Sequence, residues 1–456
     1  MPTTDPQRRL RPEQVAPIIA GAAFPEAGLA NQRGIGVEVE FFGLHPTVPG
    51  WRRLTLAEQA ARLDHEAHGS SVIGTRADVD AYEPWPAATG RLTFEPGGQI
   101  EFSGGVQATA ADALDEVEHV TRELVRVWGR TDDRLVSVGT DVFSDNDEVE
   151  QQLPLVRYRA MDRHLAARGS AGRRMMRNTC SVQVNLDPGV GEQADARWRL
   201  ANLAAPVITA SFACSPALPP DPAVSTRARA WRQLDQSRTG IPSGARLGRP
   251  IDRVEQWTQF SVQADVLLLH DPDAADQAIG FTFGQWLSDG HASLGWPTGD
   301  DLLVHLSTLF PEVRPRGSLE IRSIDGLPGF LRCVPTVLLT GLLYDDRAAE
   351  ESLRILAPMA PSIRDTLARS GEVGLKNAEL CAVAVELWSL ALAGARRLGA
   401  EFHRPADLRT AEQFIDQYTM RGRCPADELR ERLADDPDDA LNWAAERLPD
   451  VALDRR

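Results

Sequence analysis

The stretch RLTFEPGGQIEFSGG, Arg91–Gly105, sets a Pro-Gly-Gly turn between two acidic residues, Glu95 and Glu101. Pro96 followed by Gly97 and Gly98 is strong turn punctuation, so the flanking segments read as the two arms of a hairpin. Beyond the turn, Gln99, Glu101 and Ser103 alternate with Ile100 and Phe102, the period of a half-buried strand. One face of that strand is apolar. The other carries an amide, a carboxylate and a hydroxyl, and what that face meets (water, a cation or a substrate) decides what the sheet is for.

Three further segments repeat the pattern. In IGVEVEF, Ile35, Val37, Val39 and Phe41 share one face, while Gly36, Glu38 and Glu40 share the other. In SVQVNLD, Val182, Val184 and Leu186 oppose Ser181, Gln183, Asn185 and Asp187. In SLEIRSI, Leu319 and Ile321 oppose Glu320 and Arg322. An amphipathic sheet with one wet face is the simplest account. Solvated faces, however, usually mix residue types, and like charges side by side cost stability. Glu38 and Glu40 lie about 6.5–7 Å apart by strand rise. Such a carboxylate wall repels itself unless cations neutralise it, and hard oxygen donors without a His or Cys cluster point to Mg2+ or Mn2+ rather than zinc.

The 456 residues suffice for one large core or two to three ordinary domains. A net charge of −16 with no basic stripe argues against nucleic-acid binding. Lysine occurs once, at Lys376, without a preceding Gly-rich turn, so a P-loop is excluded and any phosphate must be gripped by arginine and metal. The five cysteines are scattered without a CxxC pair, against zinc ribbons and a secreted disulfide framework. No charged-then-apolar leader opens the chain, and the richest apolar run, LCAVAVELWSLALAGARRLG, contains Glu386 and ends in arginines, which suits a buried helix better than a membrane span. A cytoplasmic protein is expected.

Along the chain, strands are read at Ile35–Phe42, in the hairpin, in RLVSVGTDVF, in CSVQVNLD and at Ser318–Ile324. ATAADALDEVEHVTRELVRVWG has helical spacing with Thr109 as N-cap and Asp112 three residues on. A helix spans roughly Ala194–Ala213, Pro216–Arg253 reads as a long functional loop, and from Arg332 the pattern is helical to an acidic tail, ADDPDDALNWAAERLPD. Strands with interposed helices and then a helical third indicate an α+β fold built round one antiparallel or mixed sheet. An acidic wall, several arginines and no P-loop together suggest ATP held on metal ions and phosphoryl transfer to a carboxylate, giving an acyl phosphate that an amine attacks.

The segments GVEVEFF, EPGGQIEFSGG, MMRNTCSVQVNLD, DQSRTG and HLSTLFPEVRPRGSLEIRSIDGLP closely resemble the glutamate–cysteine ligase family, in its plant-type and actinobacterial branch that includes the ligases of ergothioneine biosynthesis. The likeness runs in order from about residue 33 to 345, within what the resemblance makes a single catalytic domain over 1–456, with 346–456 a mostly helical C-terminal part. It implies a glutamine-synthetase-like α+β fold, a curved antiparallel sheet with a funnel-like active site and surrounding helices. It also implies a reaction: ATP phosphorylates the γ-carboxylate of L-glutamate, and L-cysteine displaces phosphate to give γ-glutamylcysteine. By the same resemblance Glu38, Glu40, Glu95, Glu101, Gln183 and Glu320 match metal-binding positions, and Arg322 meets the transferring phosphoryl group. Asn185 and Arg238 match substrate-binding positions, Arg238 gripping the α-carboxylate of glutamate. Mg2+ or Mn2+ is the implied cofactor and ATP the co-substrate, with no nucleic acid or membrane partner. A ligase with another amine acceptor and a non-catalytic ligand-binding relative stay open as alternatives.

Other features read as structural. His65 and His68 suit an exposed helix end better than zinc; GIG at Gly34–Gly36 opens a strand, so it is no dinucleotide loop; Cys180 is a core residue. Trp51, Trp85 and Trp231 suit buried packing better than a pocket floor, and Asp141 either closes the site or caps a turn.

Overall fold

In the computed structural model, which describes residues 9–25, 33–78, 83–144, 149–242, 244–271 and 280–447, nine strands form one antiparallel sheet. They are β1 (Ile35–Pro46), β2 (Trp51–Arg53), β3 (Trp85–Ala87), β4 (Gly90–Phe94), β5 (Ile100–Ser103), β6 (Arg134–Val136), β7 (Ser181–Leu186), β8 (Val313–Pro315) and β9 (Leu319–Asp325). Their order is β3-β4-β5-β1-β7-β9-β8, with β2 and β6 pairing the far end of β1. The strand β1 is therefore the spine, and the glutamate pair read from its sequence lies mid-sheet.

The apolar face packs as its alternation requires. Ile35, Val37, Val39 and Phe41 are sealed, as are Ile100, Phe102, Val182, Val184, Leu186, Leu319 and Ile321. Helices Ala110–Trp128, Gly191–Ser211 and Cys333–Tyr344 cover this face. The first begins where Thr109 accepts a hydrogen bond from the Asp112 amide, an N-cap that satisfies an otherwise orphaned donor. In Cys333–Tyr344 every residue from Val334 onward is buried, because the helix lies between the sheet and a further layer of helices. One of those, Ala378–Leu398, is long and apolar enough to cross a membrane by composition alone; it sets Leu387, Trp388, Ala391 and Ala395 into the interior and packs on Cys333–Tyr344. One apolar cluster extends from Leu10 to Ala445, so the helical third shares its core with the sheet.

Several boundaries differ from the sequence reading. β1 runs on to Pro46, since its far half pairs with β2 and β6. Of RLVSVGTDVF only Arg134–Val136 is strand; Asp141 caps the following turn, accepting from the amides of Phe143 and Ser144. The stretch Pro216–Arg253 is not one loop: it holds the helices Thr226–Arg232 and Gln236–Thr239, each started by a side-chain cap from Ser225 or Asp235. β8 was not foreseen, and residues 448–450 of the acidic tail lie outside the described residues.

The Pro-Gly-Gly turn is locked from several sides. Gly98 has φ +80°, a left-handed conformation that favours glycine. The carbonyl of Gly97 accepts from Arg53 (3.1 Å) and Gln152 (3.0 Å), and that of Gly98 from Gln59 (2.7 Å). A Cβ on Gly97 would lie 2.1 Å from the backbone oxygen of Arg177, at the end of the helix Ala171–Arg177. The close approach permitted by Gly97 is thus to that helix. Gly97→Ala is expected to destabilise the protein by about 1–3 kcal/mol through overpacking against backbone that cannot yield; an unchanged thermal unfolding midpoint would refute the contact.

Candidate active site

The strand register assembles the polar faces into one wall. Glu40 stands directly opposite Glu101 on β5; Glu38 stands opposite Ser103 on one side and Gln183 on the other. On β9, Glu320 is opposite Asn185 of β7 and Arg314 of β8. Glu38, Glu40, Glu95, Glu101 and Glu320 line a cavity of about 190 Å3. Six arginines line it with them: Arg91, Arg157, Arg227, Arg314, Arg316 and Arg322.

Each strand supplies donors to its neighbour's glutamate. Glu40 accepts from the amide and hydroxyl of Ser181 (2.9 and 2.8 Å) and from Gln183 (3.1 Å). Glu38 accepts from Asn185 (2.9 Å), and Glu101 from Thr93 (3.1 Å) and Ser103 (3.0 Å). Arg314 holds Glu320 through two bonds of 2.6 and 2.8 Å, a bidentate pair, and Arg322 donates to both Glu320 and the side-chain oxygen of Gln183. Among the described residues, none donates to the Glu95 carboxylate.

These surroundings split the carboxylates into two kinds. Burial, then the charges of Glu101 and Glu320, pushes Glu38 up to about 7. Burial raises Glu40 even though Arg227 and Ser181 oppose it. Burial and the neighbouring glutamates raise Glu101, and raise Glu95 well above the carboxylate range. Glu320 goes the other way: burial pushes it up, but Arg314 and Arg322 more than offset that and hold it at about 2. Burial lowers Arg322, and Glu320, Glu38 and Glu40 outweigh it, so the guanidinium stays charged. The wall is short of positive charge everywhere but at Glu320.

That deficit and the all-oxygen donor set fit a hard divalent cation such as Mg2+ or Mn2+. Elsewhere His164, Asp235 and Asp265 bring ligand atoms within 4.8 Å of one another. Arg168 and Arg238 already pair with that group, so it has no deficit to fill. His65 is exposed at the end of the helix Leu56–Ala67 and His68 caps it, as read from sequence. Cys180 is fully buried, also as read.

Two residues assigned to substrate stand elsewhere. Arg238 is fully buried away from the cavity lining, with its guanidinium committed to Asp235 (3.1 Å), the Thr308 carbonyl (2.7 Å) and the Asp265 carbonyl (2.5 Å). It has no fork left for a substrate carboxylate. Asn185 is engaged at both ends, donating to Glu38 and accepting from Ser318 (3.1 Å), so it orients a glutamate within the wall. Trp231 does line the cavity, whereas Trp85 is packed edge to face on Phe94. Arg314 and Arg227 escaped the sequence reading: Arg314 lies on a strand too short to show a period, and Arg227 on one helical turn inside the presumed loop.

The model of glutamate–cysteine ligase family 2 (GCS2) matches residues 34–446. The chain belongs to that family. Among relatives, the glutamate–cysteine ligase EgtA of Mycolicibacterium smegmatis is 34% identical over 429 residues, covering 92% of this chain and 91% of EgtA. The chloroplastic glutamate–cysteine ligase of Arabidopsis thaliana is 29% identical over 352 residues, covering 75% of this chain and 65% of the plant protein. Among solved structures, the glutamate–cysteine ligase of Francisella tularensis in complex with AMP superposes with a TM-score of 0.50 at 13% identity, over 91% of this chain and 88% of the other. The α+β sheet-and-helix architecture is thus shared by glutamate–cysteine ligases with little sequence in common.

The raised carboxyls of this family member have a consequence for pH. A carboxyl whose folded value lies above its unfolded one gives stability that is present below the unfolded value and lost as pH rises through the folded one. For Glu38 that window lies between 4.5 and about 7. Metal-free protein is expected to lose thermal stability across this range, and Glu38→Gln to remove part of the loss. A wild-type melting temperature that rises from pH 5 to 7 would contradict it.

Proposed function

We propose that this protein is an ATP-dependent ligase that joins the γ-carboxylate of L-glutamate to the amino group of L-cysteine, releasing γ-glutamylcysteine, ADP and phosphate, for ergothioneine or another low-molecular-weight thiol. One observation carries the reading: a glutamate wall and six arginines face one cavity, in a chain similar to EgtA over nine-tenths of both lengths. One apolar core joins the motif-bearing part to the helical third, so we treat the chain as one catalytic unit. All five cysteines are free, which suits a reducing cytoplasm.

The chemistry follows from the charges. A γ-carboxylate oxygen of glutamate attacks the γ-phosphorus of ATP as the bond to the ADP oxygen breaks. The cysteine amine then attacks the acyl carbon, the carbon–oxygen bond to phosphate breaks, and the nitrogen loses a proton. Magnesium or manganese held by Glu38, Glu40, Glu95, Glu101 and Glu320 with Gln183 would neutralise the phosphate oxygens during transfer. Arg322 is fixed by Glu320 and Gln183 and lines the cavity, where its charge would meet the moving phosphoryl group. Such preorganised charge costs no rearrangement at the moment of reaction.

Arg227 takes the substrate-anion role that Arg238 cannot fill. It lines the cavity, lies over the Trp231 ring, donates to the Arg322 carbonyl (2.9 Å) and stands 3.6 Å from Asp325. A guanidinium held on one side in this way offers its remaining donors to a carboxylate.

Purified protein with ATP, Mg2+ and L-glutamate is expected to release ADP only when an amine acceptor is added, with γ-glutamylcysteine identified by mass when the acceptor is L-cysteine. Turnover with other amines but not with cysteine would replace the acceptor. Glu320→Gln is expected to cut turnover by about 10²–10³-fold without unfolding the protein; near-normal rates would remove Glu320 from the chemistry. Arg227→Ala should raise the glutamate KM about tenfold or more, the scale of a lost charged hydrogen bond. Arg238→Ala should instead lower the melting temperature, because it removes a buried guanidinium that ties Asp235 to the carbonyls of Thr308 and Asp265.

A further inference from the structure

A cavity of about 600 Å3 shares no lining residue with the catalytic one. It lies where the helix Ala110–Trp128, the turn Gly329–Leu331 that follows β9, and the helix Pro437–Ala444 of the acidic tail come together. Its volume falls in the range of small-molecule sites, roughly 300–1,000 Å3. One wall is aromatic. Phe330 and Trp443 meet edge to face at 5.7 Å, yet Phe330 is 54% exposed. A large ring left this open in a concave site gains by being covered, and a flat partner covers it best.

The charges around that wall are unmatched in both signs. Arg332 and Glu446 are buried and spent on each other. The other two carboxylates are not so served. Glu118 shares Arg404 with Asp115 and Asp407, and Asp439 shares Arg432 with Glu428. Two guanidiniums show the opposite deficit. Arg122 stands one helical turn from Glu118, exposed, and forms no ion pair among the described residues. Arg447 donates only to the Asn442 carbonyl (2.6 Å).

One cavity thus offers an uncovered aromatic wall, positive charge without a carboxylate, and carboxylates with less than one cation each. A simple anion would meet the surplus acids and a simple cation the free arginines; a zwitterion satisfies both. We propose that this cavity binds an aromatic α-amino acid. Its ring covers Phe330 and Trp443, its carboxylate meets the forks of Arg122 and Arg447, and its ammonium faces Glu118 and Asp439. Because no lining residue is shared with the catalytic cavity, the ligand binds alongside the substrates and not in place of them. The inference does not depend on the proposed ligation.

The test is a calorimetric titration of the full chain with L-phenylalanine, expected to give a Kd of about 1 mM or tighter. Three probes each lack one element: 2-phenylethylamine the carboxylate, 3-phenylpropionate the ammonium, and L-alanine the ring. Each should bind about tenfold more weakly or worse. Arg122→Ala and Phe330→Ala alter exposed positions outside the catalytic wall. Each is expected to weaken L-phenylalanine about tenfold, with the melting temperature unmoved and the ATP and glutamate KM values held within about twofold. Saturating L-glutamate and ATP should leave the affinity as it was. Absence of binding up to about 10 mM would overturn the site. So would an affinity untouched by both substitutions, 3-phenylpropionate or 2-phenylethylamine binding as tightly as L-phenylalanine, or displacement by L-glutamate, which would put the ligand in the catalytic cavity. The titration reads binding without turnover, so protein inactive as a ligase would still answer it.

Discussion

Glu40 faces Glu101 across two neighbouring strands, and the rest of the site is arranged around that repulsion. Like charges directly opposed in a sheet cost up to about 1 kcal/mol per pair, and more when water is excluded. The sheet tolerates the pair because the other face of the same strands is deeply buried. Val39, Phe41, Ile100 and Phe102 are each at most 1% exposed or fully sealed, and such burial contributes about 1.5–3 kcal/mol for each side chain. Apolar packing outweighs the electrostatic cost, so the wall forms before any ligand is present. Protons relieve it meanwhile, which is why Glu38, Glu40, Glu95 and Glu101 all hold theirs more tightly than usual.

A wall of uniform charge would bind cations without discrimination. The arginines break that uniformity. Arg314 comes from β8, Arg322 from β9, Arg227 from the helix Thr226–Arg232 and Arg157 from the helix Val156–Ala166. Arg314 and Arg322 clamp Glu320 alone, leaving the glutamates of β1 and β5 with unmet charge. One end of the cavity is therefore neutralised internally and rich in guanidinium; the other is acidic. Phosphate and metal each have a side to which charge sends them.

The two-residue period made much of this legible in the sequence. It located the strands, put Glu38, Glu40, Glu101 and Glu320 on one face, and identified Ile35, Val37 and Val39 as core. It failed where the period is absent. β8 is three residues long and contains Pro315, so Arg314 had no pattern to stand in. Arg238 matched a family motif, yet the local helix turns it inward onto Asp235, a contact that depends on the tertiary placement of Thr308 and Asp265. Asn185 lay on the polar face as read, but only the pairing of β7 with β1 shows that its amide serves Glu38.

Strict alternation also fails once inside β9, and the failure has a use. Counting by twos from Ile321 would put Ser323 and Asp325 in the core and Ile324 on the polar face. Instead the register shifts between Val182 and Val184, so that two residues of β9 pass one of β7, which makes a β-bulge. Ile324 then pairs with Val182 and stays buried, and Asp325 pairs with Ser181 beside Glu40. There Asp325 accepts from the Cys214 amide (2.9 Å), Ser215 (2.6 Å) and Ser225 (3.0 Å), the residues leading into the helix that carries Arg227. The bulge thus converts the end of a strand into the anchor of a helix, and the anchored helix delivers Arg227 to the wall. Without the extra residue, Glu320 and Arg322 would keep their positions, but the cavity would lose the support of the arginine opposite them.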